Sequence, residues 1–185
     1  MKIYLHLAEG FEEIEAVSVV DVLRRADMDV ETVSISGKKE VIGAHNIILV
    51  ADKLFEEINY DQGTMIVLPG GMPGTTNLEN HVGLTEKIKA YARQDKWLAA
   101  ICAAPMILGR LGILNDKSAT CYPGFEKELI GANYLASVSV VQSGKIITSP
   151  GPGTAILFGL KIVEVLIGPN QAEAIRESMR VCPLR

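Results

Sequence analysis

One cysteine stands where the sequence suits nucleophilic chemistry. Cys102 lies in the segment LAAICAAPMILG, between pairs of alanine residues and at the end of an apolar run. A free cysteine is often a buried core residue, because its side chain behaves as a small hydrophobe. At a junction of strand and helix, however, exposed N–H groups and the positive end of the helix dipole favour the thiolate. Pro105 suits the first turn of a helix, so the segment also resembles a nucleophile elbow.

A carboxylic acid near the start of the chain is the second candidate for chemistry. Three neighbouring acids are interpreted as favourable charges at a helix N-terminus: Glu9, Glu12 and Glu13. Glu15 differs, because Phe11 and Val19 lie four residues away on either side and place its carboxyl in a partly apolar stripe. Burial of that kind raises the pKa of a carboxyl group and allows it to share a proton with a thiolate.

Two glycine-containing turns follow predicted strands and offer backbone N–H groups. Gly70 and Gly71 come after the run TMIVLP, and an amide there, together with the amide of Ala103, could hydrogen-bond an oxyanion. A glycine pair alone is equally typical of an ordinary turn. The segment GPGT, residues 151–154, is either a turn that starts a helix or a close approach of backbone to a ligand. It lacks the lysine of a phosphate-binding P-loop.

These residues are positioned by alternating predicted strands and helices. The predicted strands span residues 2–8, 29–35, 64–71 and 96–102, with a small hairpin or edge strand near 43–51 and a second hairpin around Ser143 and Gly144. The predicted helices span residues 12–26, 84–93, 154–166 and 171–179. Such alternation with short loops predicts an α/β fold with a mostly parallel sheet. The candidate loops then meet at the carboxyl ends of the strands, where open sheets of this type bind ligands.

Composition restricts the class of protein. The 185 residues, 48% of them hydrophobic and 22% charged, suit a single globular domain over residues 1–185. Acids and bases are mixed along the chain at a net charge of −4, without a basic run that could follow nucleic-acid phosphates. The apolar runs are shorter than a membrane span, and acids come too early for a signal peptide. We therefore expect a cytoplasmic protein that binds neither nucleic acid nor membrane.

The three cysteines are Cys102, Cys121 and Cys182. They are too few and too scattered for a disulfide framework or for metal-ligand spacing. Free thiols are expected, with no metal site. Cys121 either lies near the candidate site or faces away, because alternate residues of a strand point to opposite faces.

Five motifs in order give the chain a family resemblance. The segments AEGFEEIEAV, VDVLRRA, IVLPGGMPG, AAICAAP and TSPGPGTA are similar to those of the ThiJ/PfpI superfamily, most of all to its branch with the human Parkinsonism-associated protein deglycase. The resemblance extends over nearly the whole chain. It implies a single domain with a flavodoxin-like α/β sandwich and a cysteine nucleophile elbow. It also implies a homodimer that needs no metal or organic cofactor.

The resemblance also implies roles for individual residues. It places Cys102 on the reactive elbow cysteine and Glu15 on the carboxyl that hydrogen-bonds it. It places Gly71 and Ala103 on the backbone amides of the oxyanion pocket. Arg25 matches an arginine that reaches the partner subunit's site, although without the resemblance it would be a solvated cation near a helix C-terminus. Three further residues are expected to line the substrate pocket: Tyr122, Gly151 and Pro152.

Departures from related patterns narrow the chemistry. Tyr122 stands where the human branch carries a histidine, so base catalysis by a neutral imidazole is lost at that position and a slow enzyme is expected. Ala103 follows the cysteine where peptidase-like members carry a histidine, which argues against a Cys-His peptidase. All three histidines precede Cys102, which disfavours glutamine amidotransfer. They are interpreted as structural or surface residues: His6, His45 and His81.

Two functional hypotheses follow. In the first, the protein is a cofactor-free glyoxalase or deglycase that converts methylglyoxal, glyoxal or early glycation adducts on small molecules or macromolecules. Cys102 would add to the aldehyde and Glu15 would carry the proton. In the alternative, the protein is a redox sensor or chaperone-like binder whose Cys102 oxidises to a sulfinate, hydrogen-bonded by Glu15, without physiological turnover.

Overall fold

The computed structural model describes residues 1–182, which build eleven strands and six α-helices. The strands are β1 (Lys2–Leu7), β2 (Asp29–Ser34), β3 (Glu40–Ile42), β4 (Ile48–Val50), β5 (Lys53–Leu54), β6 (Gly63–Leu68), β7 (Trp97–Ile101), β8 (Ser118–Ala119), β9 (Asn133–Tyr134), β10 (Val141–Ser143) and β11 (Ile146–Ser149). The helices are α1 (Glu13–Arg25), α2 (Gly74–Asn80), α3 (Val82–Arg93), α4 (Pro105–Arg110), α5 (Ala155–Leu166) and α6 (Pro169–Ser178). Within this part of the chain, no helix is both long and apolar enough to cross a membrane.

Seven strands form the central sheet, in the order β10-β11-β7-β6-β1-β2-β5. Every neighbouring pair is parallel except β10 with β11, which form an antiparallel hairpin. The chain builds outward from β1 in both directions, so the sheet has a topological switch point between β1 and β6. Ligands of doubly wound sheets bind outside the carboxyl ends of the strands at such a point. The predicted α/β fold with a mostly parallel sheet is therefore confirmed.

Apolar side chains cover both faces of the sheet, as a buried parallel sheet requires. On one face, Val22 of α1 and Phe158 of α5 belong to the same buried cluster as Ile3 of β1. On the other face, Leu78 of α2 and Ile88 of α3 belong to a second cluster. This packing fixes α1, which carries the candidate carboxyl, against the sheet.

Strands β3 and β4 form a separate antiparallel hairpin. The amide of Gly10 donates to the carbonyl of Ile42 at 2.8 Å, and the amide of Ala44 donates to the carbonyl of Phe11 at 2.8 Å. These bonds hold the hairpin against the loop that leads into α1. The hairpin turn thereby comes to lie beside the first turn of that helix.

Most predicted elements are confirmed with small shifts of their ends, whereas three features differ. The predicted strand over residues 64–71 ends at Leu68, so the glycine pair lies in a loop. Helix α2 was not predicted, because Thr75 and its polar neighbours have low helix propensity. A tertiary hydrogen bond supports its start instead, since the amide of Gly74 donates to the carbonyl of Gly10 at 3.1 Å. The two-residue strands β5, β8 and β9 are too short to give a periodic pattern.

Candidate active site

Cys102 occupies a sharp turn between β7 and α4. Its φ is +64°, a left-handed conformation that is uncommon for residues other than glycine and that marks strained, often functional positions. Two backbone hydrogen bonds hold it: its amide donates to Ser149 at 2.9 Å, and its carbonyl accepts from the amide of Tyr122 at 2.7 Å. Pro105 is the first residue of α4. The backbone therefore has the form of a nucleophile elbow.

Glu15 meets the cysteine from the first turn of α1. Its side chain is fully buried, and its Oε2 accepts a hydrogen bond from the amide of Gly70 at 2.7 Å. The carboxyl lies within hydrogen-bonding reach of the Cys102 thiol. Its second oxygen, Oε1, forms no hydrogen bond of standard geometry with any of residues 1–182. The two reactive groups therefore share a buried space.

Gly70 makes this contact between thiol and carboxyl possible. A Cβ at this position would lie 2.6 Å from the Cβ of Cys102, 3.0 Å from its Sγ and 3.0 Å from Oε2 of Glu15. Real Cβ contacts are never so short, so any side chain here would push the pair apart. Gly70, predicted to be either a turn residue or part of an oxyanion-binding loop, is therefore also a packing requirement of the site.

Two backbone N–H groups converge on the sulfur. The amides of Gly71 and Ala103 both lie close enough to the Cys102 thiol to favour its charged form. Gly71 has a φ of +86°, and a Cβ there would lie 2.4 Å from the backbone nitrogen of Glu12. Only glycine fits this position. Amides arranged in this way can stabilise negative charge on sulfur or on an oxygen bound next to it.

Burial shifts the titration of both groups. It raises the pKa of Glu15 to about 7, while the hydrogen bond from Gly70 opposes the shift. Burial and the negative charge of an ionised Glu15 raise the pKa of Cys102 to about 12, against the effect of the two amides. Between these two values the pair holds one proton. A thiol that attacks an electrophile can therefore pass its proton to the Glu15 carboxylate.

The sequence-based expectation of a thiol acidified by a helix dipole is wrong. Helix α4 has only six residues, so it contributes little dipole. Cys102 is also only 8% exposed, which disfavours the charged form more than exposed N–H groups favour it. The surroundings of this thiol therefore favour its neutral form, with the Glu15 carboxyl as the adjacent base.

The thiol faces a cavity of about 450 Å³. Among the predicted pocket residues, Tyr122 and Pro152 line this cavity, as do Gly71 and Ala103. Gly151 lies beneath the Tyr122 ring, where an added Cβ would approach Cδ2 to 3.1 Å. Five further lining residues were not predicted: Glu12, Ile14, His45, Met72 and Phe125. Glu12, Ile14 and Met72 lie within the motifs quoted above, which could have suggested them. His45 lies outside every motif, so nothing in the sequence suggested it.

Several predicted residues lie away from the cavity. Arg25 forms an ion pair with Asp21, one helical turn earlier, and does not line the cavity of its own chain. Cys121 is buried in the hydrophobic cluster on the opposite face of the sheet from Cys102, which answers the question of its orientation. Cys182 is exposed.

Comparison with known proteins identifies the family of the chain. The sequence profile described as the DJ-1/PfpI family matches residues 1–165. The chain belongs to the DJ-1/PfpI family. This confirms the resemblance to the ThiJ/PfpI superfamily, and curated DJ-1 homologues confirm the branch.

Three curated relatives show how similar the chain is to other proteins in sequence and length. "Protein DJ-1 homolog B" of Arabidopsis thaliana is 39% identical over 172 residues, which are 92% of this chain and only 39% of that protein. The "Parkinson disease protein 7 homolog" of Danio rerio is 37% identical, with 92% of each chain covered. The "Glutathione-independent glyoxalase DJR-1.2" of Caenorhabditis elegans is 33% identical, over 90% of this chain and 89% of that one. The chain thus spans less than half the length of the Arabidopsis relative.

Solved structures of DJ-1 proteins share the fold. Drosophila melanogaster DJ-1beta superposes with a TM-score of 0.93 at 32% identity and 98% coverage of both chains. Toxoplasma gondii DJ-1, described as oxidized, superposes with a TM-score of 0.91 at 35% identity, over 98% of this chain and 99% of that one.

Replacement of Glu15 by glutamine should change how stability depends on pH. A group whose pKa is raised by folding, here from 4.5 to about 7, binds a proton in the native state that the unfolded chain has released. The free energy of unfolding of the wild type should therefore fall by about 3 kcal/mol across this window, relative to Glu15→Gln. Urea unfolding at several pH values gives the free energy of unfolding of both proteins. In the difference between the two values, the contributions of the acids that both proteins share cancel. Parallel pH profiles would contradict a buried, protonated Glu15.

Proposed function

We propose that this protein is a cysteine-dependent enzyme acting on small reactive carbonyl compounds. The observation that carries the proposal is the convergence of two backbone amides and one buried carboxyl on the sulfur of an elbow cysteine. This arrangement places a nucleophile and an oxyanion site on the wall of one cavity, with a buried base directly behind the nucleophile. The name of the Caenorhabditis elegans relative, a glutathione-independent glyoxalase, supports the same chemistry.

The cavity limits the substrate to small compounds or to exposed groups on larger ones. Its volume of about 450 Å³ exceeds that of methylglyoxal or glyoxal. The side chains of Met72, Phe125 and Tyr122 give it a partly apolar wall. An early glycation adduct on a side chain or a nucleotide also fits this description, so glyoxalase and deglycase activities would use one site.

The reaction with methylglyoxal balances without an external oxidant. The Cys102 sulfur adds to the aldehyde carbon while its proton passes to Glu15, and the Gly71 and Ala103 amides stabilise the resulting oxyanion. The C–H proton of the hemithioacetal then moves, through an enediol, to the neighbouring carbon, which leaves a thioester on Cys102. Water cleaves the thioester to lactate and restores the thiol. The aldehyde carbon is oxidised and the ketone carbon reduced within the same molecule.

Loss of the thiol should abolish this activity. Cys102→Ser keeps the size of the side chain but removes the polarisable nucleophile, so lactate formation from methylglyoxal should fall by at least about 100-fold. Cys182→Ser, which removes an exposed thiol that does not line the cavity, is the matched control and should keep full activity. Lactate is measured enzymatically in the absence of glutathione. Unchanged lactate formation by Cys102→Ser would exclude the mechanism.

A second candidate function is redox sensing at the same cysteine. The similar Toxoplasma gondii structure is of an oxidized protein, and the buried Oε1 of Glu15 has no hydrogen-bond partner among residues 1–182. Attack of the Cys102 sulfur on hydrogen peroxide would give a sulfenic acid and water, with the thiol proton carried by Glu15. A second peroxide would give the sulfinic acid and another water. Protonated Glu15 could then donate to a sulfinate oxygen.

Selective oxidation distinguishes a sensor from an ordinary thiol. At limiting hydrogen peroxide, Cys102 should gain two oxygen atoms while Cys121, buried on the other face of the sheet, stays reduced. Peptide mass spectrometry reads all three cysteines in one experiment, with exposed Cys182 as the internal comparison. Equal oxidation of Cys182 and Cys102 would exclude selective sensing, and Glu15→Gln should slow oxidation at Cys102 alone.

We also propose that the protein is a homodimer. An exposed apolar surface, here called the α1–hairpin patch, consists of Ile14, Val17, Ile47, Ile48 and Val50, each at least 48% exposed. Helix α1 and the hairpin flank a groove of about 300 Å³ within this region. Contiguous apolar surfaces of this kind mark interaction sites. The proposed contribution of Arg25 to a partner's site depends on this association.

A charge in the patch should prevent the association. Val17→Asp places a carboxylate that would have to lose its hydration in the interface, so the protein should sediment with the mass of one chain. Val82→Asp is the matched control, because Val82 is 74% exposed on α3, on the opposite side of the sheet. Analytical ultracentrifugation of wild type and both variants measures the mass. A monomeric wild type, or a dimeric Val17→Asp variant, would contradict the proposal.

A further inference from the structure

Three groups that commonly bind metal ions lie together beside the cysteine cavity. Glu12 and Glu13 come from the start of α1, and His45 comes from the turn between β3 and β4. One ligand atom from each lies within 4.8 Å of the others. Glu12 and His45 also line the cavity that contains Cys102. The glutamates were predicted to be charges at a helix N-terminus and His45 a structural or surface residue, because 32 positions separate Glu13 from His45.

The distances suit a small cation. Nδ1 of His45 lies 2.9 Å from Oε2 of Glu13 and 3.6 Å from Oε2 of Glu12. In a tetrahedral zinc site with bonds of about 2.0 Å, two ligand atoms lie about 3.3 Å apart. The two separations from the imidazole fall on either side of this value, and the carboxylate oxygens lie within 4.8 Å of each other. A cation between the three atoms would take the place of a proton on Nδ1.

Glu12 provides independent support for a ligand. Its side chain is nine-tenths buried, yet its carboxylate accepts no hydrogen bond from any of residues 1–182. No lysine or arginine in this part of the chain forms an ion pair with Glu12 or Glu13, whose only cationic neighbour is His45. The carboxylate faces the cavity instead, where a divalent cation could take the place of water beside Glu12 and His45.

Glu13 is held in position to act as a ligand. Its Oε1 accepts hydrogen bonds from the amides of His45 at 2.7 Å and Ile47 at 3.3 Å. These bonds leave Oε2 directed toward the imidazole. Gly43 makes room for the carboxylate, because a Cβ there would overlap it. Carboxylates that bind metals are typically oriented by hydrogen bonds of this kind.

We propose that Glu12, Glu13 and His45 bind a divalent cation of the zinc type. A donor set of one imidazole nitrogen and two carboxylate oxygens suits Zn²⁺ better than Mg²⁺ or Ca²⁺, which prefer oxygen ligands alone. Three protein ligands leave a coordination position for water or for an anionic oxygen. Because two of the ligands line the cavity, the cation would lie on its rim. This binding requires no carbonyl turnover, so it stands independently of the function proposed above.

Zinc titration of the metal-free protein tests the site. Isothermal titration calorimetry with Zn²⁺ alone, at mildly alkaline pH where His45 is neutral, should show one site per chain in a Cys182→Ser background. Affinity should fall by at least about tenfold in Glu12→Gln and in His45→Gln. His45 is exposed, so its replacement leaves the core intact, and circular dichroism verifies the fold of each variant. Glu9→Gln removes a nearby acid outside the cluster and should leave the affinity unchanged.

Cobalt spectroscopy separates this site from metal bound to the cysteine. Co²⁺ held by nitrogen and oxygen ligands gives visible d–d bands without the intense charge-transfer band of a thiolate ligand. The spectrum should therefore be the same in the wild type and in Cys102→Ser. Absence of binding to the wild type, unchanged affinity in His45→Gln, or loss of the signal in Cys102→Ser would each overturn the proposal.

Discussion

The left-handed backbone at Cys102 is the constraint from which the rest of the site follows. Such a conformation persists only where the surroundings over-determine it. Here the parallel pairing of β7 with β11 brings Ser149 to the cysteine amide, and the segment at Tyr122 holds the cysteine carbonyl from the other side. The sulfur is thereby directed to the switch point of the sheet. The Gly70-Gly71 loop and the first turn of α1 both lie beside the sulfur there.

The electrostatics of the site depend on how little water reaches it. A carboxyl group and a thiol in contact, both largely removed from solvent, cannot ionise independently, because each negative charge raises the cost of the other. The single proton between Glu15 and Cys102 makes the pair an acid and a base at the same time. The amides of Gly71 and Ala103 then stabilise the one negative charge of the pair when it lies on the sulfur. Exposed side chains could not reproduce this arrangement, since water would screen their interaction.

Much of the fold was predictable from sequence, because the buried parallel strands are continuous apolar runs and the long helices have clear periodicity. The local features of the site were predictable for the same reason: Cys102, Ala103 and Gly71 lie in motifs adjacent to strand ends. The charge state of Cys102 was not predictable, because it depends on burial by elements that are distant in sequence. His45 was missed because it reaches the cavity through a hairpin whose packing leaves no periodic signal.

Burial of Glu15 means that the site and the stability of the fold make opposite demands on the same position. An apolar residue of similar volume would avoid the desolvation of a carboxyl group in the core, and natural proteins are seldom at their stability optimum. Selection for thermal resistance alone would therefore tend to discard Glu15. A chain evolved in the laboratory under that pressure would keep the sandwich and lose the partner of its cysteine.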